Sequence, residues 1–135
     1  MAFQLSVDTR NATLQAIETT VGVNPILTIH SGTVPADCAT ANTGSVVATM
    51  VLPNDWFNNP VGGTITLQGT WQDLSADASG TAAYFRMHDN GGTTCHMQGT
   101  ISATGQGGDM QLDNTNIAVG QQINITAFTI TAGGA

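Results

Sequence analysis

The stretch GTAAYFRMHDNGGTTCHMQGT, residues 80–100, decides the fold. It contains two runs of strand-forming residues on either side of Asn90-Gly91-Gly92, and apolar and polar side chains alternate along both runs. Alternation with a period of two on both sides of an Asn-Gly pair predicts a β-hairpin.

The same alternation predicts the register of the hairpin. Directly opposed residues of a hairpin lie on the same face, so Phe85 should pair with Met97 and Met87 with Cys95. This register leaves a three-residue loop, Asn90 to Gly92, with Gly92 in the left-handed position that such loops need. The predicted inner face consists of Ala83, Phe85, Met87, Cys95 and Met97, and the predicted outer face of Tyr84, Arg86, His88, Thr94, His96 and Gln98.

The composition predicts a single domain with a neutral polar surface. A length of 135 residues fits one domain that buries its own core. Charged residues make up 8% of the chain, against roughly 25% in an average soluble domain. Threonine, glycine, asparagine, glutamine and alanine take their place, which is typical of rigid β scaffolds in shell and fibre proteins.

The charge balance argues against two classes of partner. The chain contains no lysine, and its two arginines, Arg10 and Arg86, face nine acidic residues, giving a net charge of −7. Such a chain repels phosphate backbones and anionic membrane surfaces, so neither nucleic acid nor a membrane is predicted as a partner. The N-terminus has no basic and apolar signal-peptide pattern, and no run reaches transmembrane length.

Residues 6–20 are predicted to form a helix, because apolar residues recur there at helical spacing. Ser6 or Asp8 would cap its start, and Gly22 stands where a C-terminal glycine is expected. The apolar stripe is thin, so the helix needs support from its own β domain or from a neighbouring subunit. The predicted division is an N-terminal helical arm, residues 1–24, and a β-sandwich domain, residues 25–135.

The rest of the chain is predicted to form short strands separated by turns. Several such strands at regular spacing predict an all-β fold, an antiparallel β-sandwich of jelly-roll-like type with the short N-terminal helix. A break in parity predicts a β-bulge or a change of sheet near Ala127-Phe128 in the last strand. The main predicted strands are Ile26 to His30, Ser45 to Leu52 (placed centrally), Thr64 to Trp71, Met110 to Leu112 and Gln121 to Thr131.

Two large aromatic residues, Trp56 and Phe57, occur in the loop between Pro53 and Pro60. A loop that carries two such side chains must bury them. They either plug the end of the sandwich or insert into a partner, and the plug is favoured because loops are commonly packed by their own side chains.

The residue patterns predict no metal, no cofactor and no catalytic residues. Cys95 and His96 are consecutive in a strand and point to opposite faces, so they cannot share a tetrahedral zinc ion. His88 and His96 lie on one predicted face but lack a third ligand. No nucleophile-elbow or phosphate-loop spacing occurs, and the chain is predicted not to be an enzyme.

Two further features leave alternatives open. Arg86, on the predicted outer face, should have a carboxylate partner among Asp73, Asp77 and Asp113, either in a surface ion pair or across a subunit interface. The two cysteines, Cys38 and Cys95, are reduced and buried, joined in a bridge, or reactive.

Several segments resemble a family of small proteins encoded by tailed bacteriophages of proteobacteria. The likeness spans nearly the whole chain. It is carried by Gln4-Leu5-Ser6-Val7, Ala16-Ile17-Glu18-Thr19-Thr20, Gly69-Thr70-Trp71-Gln72-Asp73, Tyr84-Phe85-Arg86, Gly91-Gly92-Thr93-Thr94-Cys95, Gly107-Gly108-Asp109-Met110 and Leu112-Asp113-Asn114.

The resemblance implies a structural virion protein, a capsid decoration or cement protein that bridges capsid subunits and stabilises the phage head. Its partners would be the major capsid protein and copies of itself in a homo-oligomer, on the capsid surface after synthesis in the host cytoplasm. The alternative is a head-tail or tail-fibre β domain that binds a glycan or receptor. The candidate interface residues are Trp56, Phe57, Arg86, His88, His96 and Arg10.

Overall fold

The computed structural model describes residues 3–135 and contains, within them, one helix and ten strands. The prediction of a β-rich fold with a short N-terminal helix is confirmed. The elements are α1 (Val7–Val21), β1 (Ile26–His30), β2 (Val46–Val51), β3 (Thr64–Thr66), β4 (Gln72–Asp73), β5 (Gly80–Thr81), β6 (Tyr84–His88), β7 (Cys95–Ala103), β8 (Met110–Leu112), β9 (Asn116–Ile117) and β10 (Ile123–Thr131).

Eight of the strands form one sheet in the order β2-β1-β6-β7-β8-β10-β3, and β4 also pairs with β10. Strands β5 and β9 form a separate two-stranded sheet. Strands β7 and β8 run parallel, whereas the other pairs are antiparallel. The sheet is therefore mixed, and the prediction of a wholly antiparallel arrangement is corrected on this point.

The hairpin forms between β6 and β7, but its register differs from the predicted one. Phe85 lies opposite Gly99, and Met87 lies opposite Met97. Gly99 leaves room for the Phe85 ring, since a Cβ atom there would stand 2.7 Å from Phe85 Cε1. The connecting loop does contain Gly92 with a positive φ of 70°, as predicted.

A β-bulge then reverses the predicted faces of two side chains in β7. The register shifts between Met87 and His88, so that His88 pairs with Cys95. Inserting one residue moves the preceding side chains of a strand to the other face. Cys95 consequently lies on the side of Arg86, and His96 lies next to α1, the opposite of the predicted arrangement.

The N-terminal helix begins and ends as the sequence predicts. The Ser6 side chain accepts a hydrogen bond from Thr9 N, and Gly22 follows the last helical residue with a φ of 91°. The helix rests on its own β domain, because Leu14 and Val21 are buried in the core. The indole nitrogen of Trp56 donates to the carbonyl of Gly22 at 2.9 Å. A domain boundary near residue 24 stays a prediction.

Arg10 joins the helix to the end of β10. Its guanidinium donates to Ala132 O from Nε and Nη2, at 3.4 and 3.3 Å. The same guanidinium lies against the backbone of Gly63, which has a positive φ of 77°. With an exposed fraction of 8%, Arg10 is buried and connects α1 to the end of β10. It is not the surface contact that was predicted.

Substitution of Gly63 by alanine should therefore destabilise the chain through two effects. A left-handed φ costs an L-residue about 1 kcal/mol, and the new methyl group would displace the Arg10 guanidinium, for a total loss of about 2 kcal/mol in urea unfolding. Gly62→Ala is the matched control, because Gly62 has a φ of 63° with nothing within 4 Å of an added Cβ. Equal losses in the two variants would contradict a role for the Arg10 contact.

The core is built around five aromatic side chains, namely Trp56, Phe57, Trp71, Phe85 and Phe128. Trp56 and Phe57 are 0% and 1% exposed, with ring centroids 4.3 Å apart. Both loop aromatics thus fill the interior, and the predicted plug is confirmed. Their burial corrects the prediction that they form an exposed contact surface.

Strand β2 lies at an end of the sheet and not in its centre. Its free edge is covered by the end of β4 and the residues that follow it, because Asp73 Oδ2 accepts from Thr49 N and Asp77 N donates to Val47 O. This cover, together with the register shift between β1 and β2, explains the apolar residues on both of its faces. The predicted bulge in β10 is confirmed between Ile125 and Ala127.

Candidate functional site

The polar face of β6 is covered by residues 31–45, which we call the covering loop. Tyr84 Oη donates to Thr43 O at 2.8 Å and accepts from Thr43 N at 3.0 Å. Gln98 Nε2 donates to Pro35 O at 2.7 Å. Side chains of β6 and β7 thus hold the loop against the sheet through its backbone. This part of the face predicted to point to solvent or to a partner is an internal polar contact.

Arg86 lies at the centre of this contact and is 4% exposed. Its Nη2 donates to the carbonyls of Asp37 and Thr40 at 3.0 and 2.6 Å, and its Nε donates to Gln98 Oε1 at 3.1 Å. A planar guanidinium suits this task, because its donors diverge in a fixed fork. The acceptors are neutral oxygens rather than the predicted carboxylates.

The three predicted carboxylate partners of Arg86 bind elsewhere. Asp73 and Asp77 accept from the backbone and hydroxyl of Thr49. Asp113 accepts from the side-chain amide of Asn124 at 3.3 Å. The prediction of an Arg86 ion pair on the surface or across an interface is therefore wrong, because folding aims the guanidinium at loop carbonyls.

Asp37 shapes the turn of the covering loop that meets Arg86. One carboxylate oxygen accepts from Thr40 N at 2.8 Å, from the Thr40 hydroxyl at 2.8 Å and from Ala39 N at 3.0 Å. These hydrogen bonds, led by those from Thr40, hold the pKa of Asp37 below its usual value. The turn presents the carbonyls of Asp37 and Thr40 to the guanidinium.

His30 is a buried histidine beside this contact, at 1% exposure. Its ring stacks on Tyr84 with centroids 4.6 Å apart, and its Nε2 lies 2.8 Å from Thr28 Oγ1. Among residues 3–135, the other nitrogen, Nδ1, has no hydrogen-bond partner. Burial first, and then the charges of Arg86 and His88, lower the pKa of His30 to about 4.

The chain should lose stability as the pH falls from about 6.5 to about 4, the unfolded and folded pKa values of His30. Within this window the unfolded chain binds a proton that the folded chain does not. At about 1.4 kcal/mol per pKa unit, the free energy of unfolding should drop by up to about 3 kcal/mol. His88 contributes in the same direction, since burial lowers its pKa as well. Urea unfolding at several pH values measures the effect.

His30→Gln is the control for this pH dependence, because glutamine does not titrate and can still bond Thr28. The slope between pH 6.5 and 4 should be clearly shallower in the variant than in the parent chain. Identical slopes would exclude His30 as the source. Further loss below pH 3.8 should persist in both, from Asp37 and Asp89, whose pKa values their hydrogen bonds depress.

The structure does not bring the six candidate interface residues together on one surface. Four of them, Trp56, Phe57, Arg10 and Arg86, are inside the chain. His88 and His96 are half-buried, and His96 borders a groove of about 250 Å³ along α1. For these two histidines an interface role stays a prediction.

A second groove, of about 400 Å³, lies between the end of α1 and the Trp56 loop. Glu18 lines it, and its Oε2 accepts from Phe57 N at 2.9 Å. This carboxylate is thus occupied in holding the aromatic plug.

Within residues 3–135, no group of three or more histidine, cysteine, aspartate or glutamate side chains could hold a metal ion. In the same range no helix has the length and apolar character to span a bilayer.

Sequence reasoning missed the covering loop as a partner of Arg86. The loop acceptors are backbone carbonyls, those of Asp37 and Thr40 for Arg86 and that of Pro35 for Gln98, and every residue type carries such a group. The one local signal was Asp37 followed three residues later by Thr40, a pattern that favours a side-chain-capped turn. No protein-family model, curated protein sequence or solved structure matches this chain.

Proposed function

We propose that this chain is a structural protein of a tailed-phage virion, a capsid decoration or cement protein. In this proposal it sits on the head surface, bridges neighbouring capsid subunits and resists the outward pressure of packaged DNA. Its partners are the major capsid protein and further copies of itself. It is made in the host cytoplasm, and its role involves neither a reaction nor a cofactor.

The observation that carries the proposal is the charge of the surface. Nine acidic residues stand against two arginines and no lysine. Arg10 and Arg86 are 8% and 4% exposed, so both permanent side-chain cations point inward. A surface of carboxylates, amides and hydroxyls repels DNA and suits the outside of a shell rather than its DNA-facing side.

The packing of the sheet supports a mechanical role. Phe85 of β6 contacts Phe128 of β10 with ring centroids 5.3 Å apart, although β7 and β8 lie between their strands. We infer that the sheet curls over one aromatic core as a sandwich related to the jelly roll. A densely packed core resists deformation, and repeated modest contacts between many copies would supply the strength of the shell.

The alternative, a head-tail or tail-fibre domain that binds a glycan or receptor, loses its main support. It required exposed aromatic side chains, for which Trp56 and Phe57 were the candidates. Both are at most 1% exposed. We therefore favour decoration of the head.

The test mixes purified protein with capsids of the encoding phage that were prepared without it. The protein should co-sediment with them in a saturable manner, and the decorated capsids should regain resistance to heat and chelators. Absence of binding, together with full resistance of virions that lack the protein, would rule out the proposal. Binding to a glycan array instead would favour the alternative.

The same assay tests the remaining interface candidates. His88→Ala and His96→Ala should weaken co-sedimentation if that end of the hairpin contacts a neighbouring subunit. Val61→Ala is the control, because Val61 is 76% exposed and lies beside β3, which ends the strand order, whereas β6 and β7 lie in its middle. Unchanged binding in both histidine variants would place the contact elsewhere.

A further inference from the structure

The two cysteines of the chain, Cys38 and Cys95, meet in the folded structure. Both are free and half-buried, and the neighbouring Cys38 thiol is one of the causes that raise the pKa of Cys95. Cys95 also donates to Met97 O at 3.4 Å. Two residues far apart in sequence are thereby held side by side.

Their meeting follows from two features of the fold. The bulge in β7 turns Cys95 towards the covering loop. The loop is fixed on both sides of Cys38, because Arg86 binds the carbonyls of Asp37 and Thr40 and Gln98 binds that of Pro35. The pair is therefore preorganised by hydrogen bonds that do not involve sulfur.

We propose that Cys38 and Cys95 form an intrachain disulfide when the folded chain meets a small-molecule disulfide oxidant, and that this bond fastens the covering loop to β7. The site is then a reversible redox staple, open in a reducing compartment and closed in an oxidising one. The inference does not rest on the proposed function.

The chemistry is thiol–disulfide exchange in two steps. The thiolate of Cys38 attacks the oxidant RSSR, forms Cys38–S–S–R and releases one RS⁻, which becomes RSH with the proton given up by Cys38. Cys95 then loses its proton and attacks the Cys38 sulfur, releasing a second RS⁻ that takes this proton. In total two thiols are oxidised and one RSSR is reduced to two RSH.

The protein environment sets the order and pace of these steps. Burial, and then the contact with Cys38, raise the pKa of Cys95 to about 12. Because the thiolate is the nucleophile, Cys38 should make the first attack, and closure by Cys95 should be the slow step, accelerating with rising pH.

The experiment incubates the native chain with oxidised glutathione at pH 8 and follows free thiols, intact mass and peptide maps. The expected product is a monomer without free thiols, lighter by two hydrogens, with Cys38 linked to Cys95. Closing a loop of about 60 residues should raise the thermal midpoint by roughly 10 °C, and a reductant should reverse the shift.

Three comparisons test whether the bond depends on the folded geometry and on both cysteines. The same reaction in concentrated urea should close the bond at least tenfold less readily, because only the folded chain aligns the thiols. Arg86→Met, which keeps both cysteines but releases the loop, should slow closure in the native buffer. Cys38→Ser should abolish both the bond and the thermal shift.

Three results would each overturn the proposal. One is a native product that carries two glutathiones or links two chains. Another is equal closure in urea and in native buffer. The last is a Cys38–Cys95 bond that leaves the thermal midpoint unchanged or lower.

Discussion

Replacing Trp71 with alanine is expected to lower the free energy of unfolding by about 4 kcal/mol, and the thermal midpoint by roughly 15 °C. Trp71 is 1% exposed and lies among Trp56, Phe57 and Phe128, with centroid distances of 6.0, 5.9 and 5.8 Å. Removing its ring leaves a cavity that three rings border, and rigid aromatic neighbours collapse into such a space only in part. Urea unfolding followed by circular dichroism measures the loss.

Two controls separate the cavity from other effects of this change. Trp71→Phe keeps most of the ring but loses the indole donor to Gln68 O, and should cost about 1 to 2 kcal/mol. Leu74→Ala truncates a side chain that is 67% exposed and should stay within about 0.5 kcal/mol of the parent chain. If Trp71→Ala were no more harmful than Leu74→Ala, the aromatic cluster would not be the main support of the core.

Arg86→Met should cost about 3 kcal/mol and, beyond that, release the covering loop from the sheet. The methionine fits the space but leaves Asp37 O, Thr40 O and Gln98 Oε1 without their donor. These oxygens recover partners most easily if the loop lifts into water. Amide hydrogen exchange should accordingly accelerate at Thr43, whose N–H is bonded to Tyr84 Oη, more than in the amides of β6.

The other arginine supplies the matched control. Arg10→Met also removes a buried guanidinium that binds a backbone carbonyl, but on Ala132 at the far end of the chain. It should lower global stability. Amide hydrogen exchange at Thr43 should then accelerate no more than exchange at the other amides of the sheet. Selective acceleration at Thr43 in Arg10→Met, or its absence in Arg86→Met, would contradict the role assigned to Arg86.

Features set by neighbouring residues in the sequence could be predicted. The ends of α1 followed from Ser6 and Gly22, because capping involves only groups within one turn. The positive φ of Gly92 and the burial of the Trp56-Phe57 loop followed from equally local reasons.

Features set by distant contacts could not be predicted. The hairpin register depends on Gly99 making room for the Phe85 ring, which alternation alone does not encode. One bulge then exchanged the faces of Cys95 and His96 and changed the expected environment of both. The edge position of β2 could not be predicted from its sequence pattern, because Asp73 and Asp77, which are distant in sequence, cover its free backbone groups.

The inward placement of both arginines has a consequence for proteolysis. Trypsin cleaves after lysine and arginine, and this chain offers it only Arg10 and Arg86, which are 8% and 4% exposed. One bond lies within α1 and the other within β6, where the backbone is fixed in regular structure. The folded chain should therefore resist trypsin, and its rate of cleavage should report how often α1 or β6 opens.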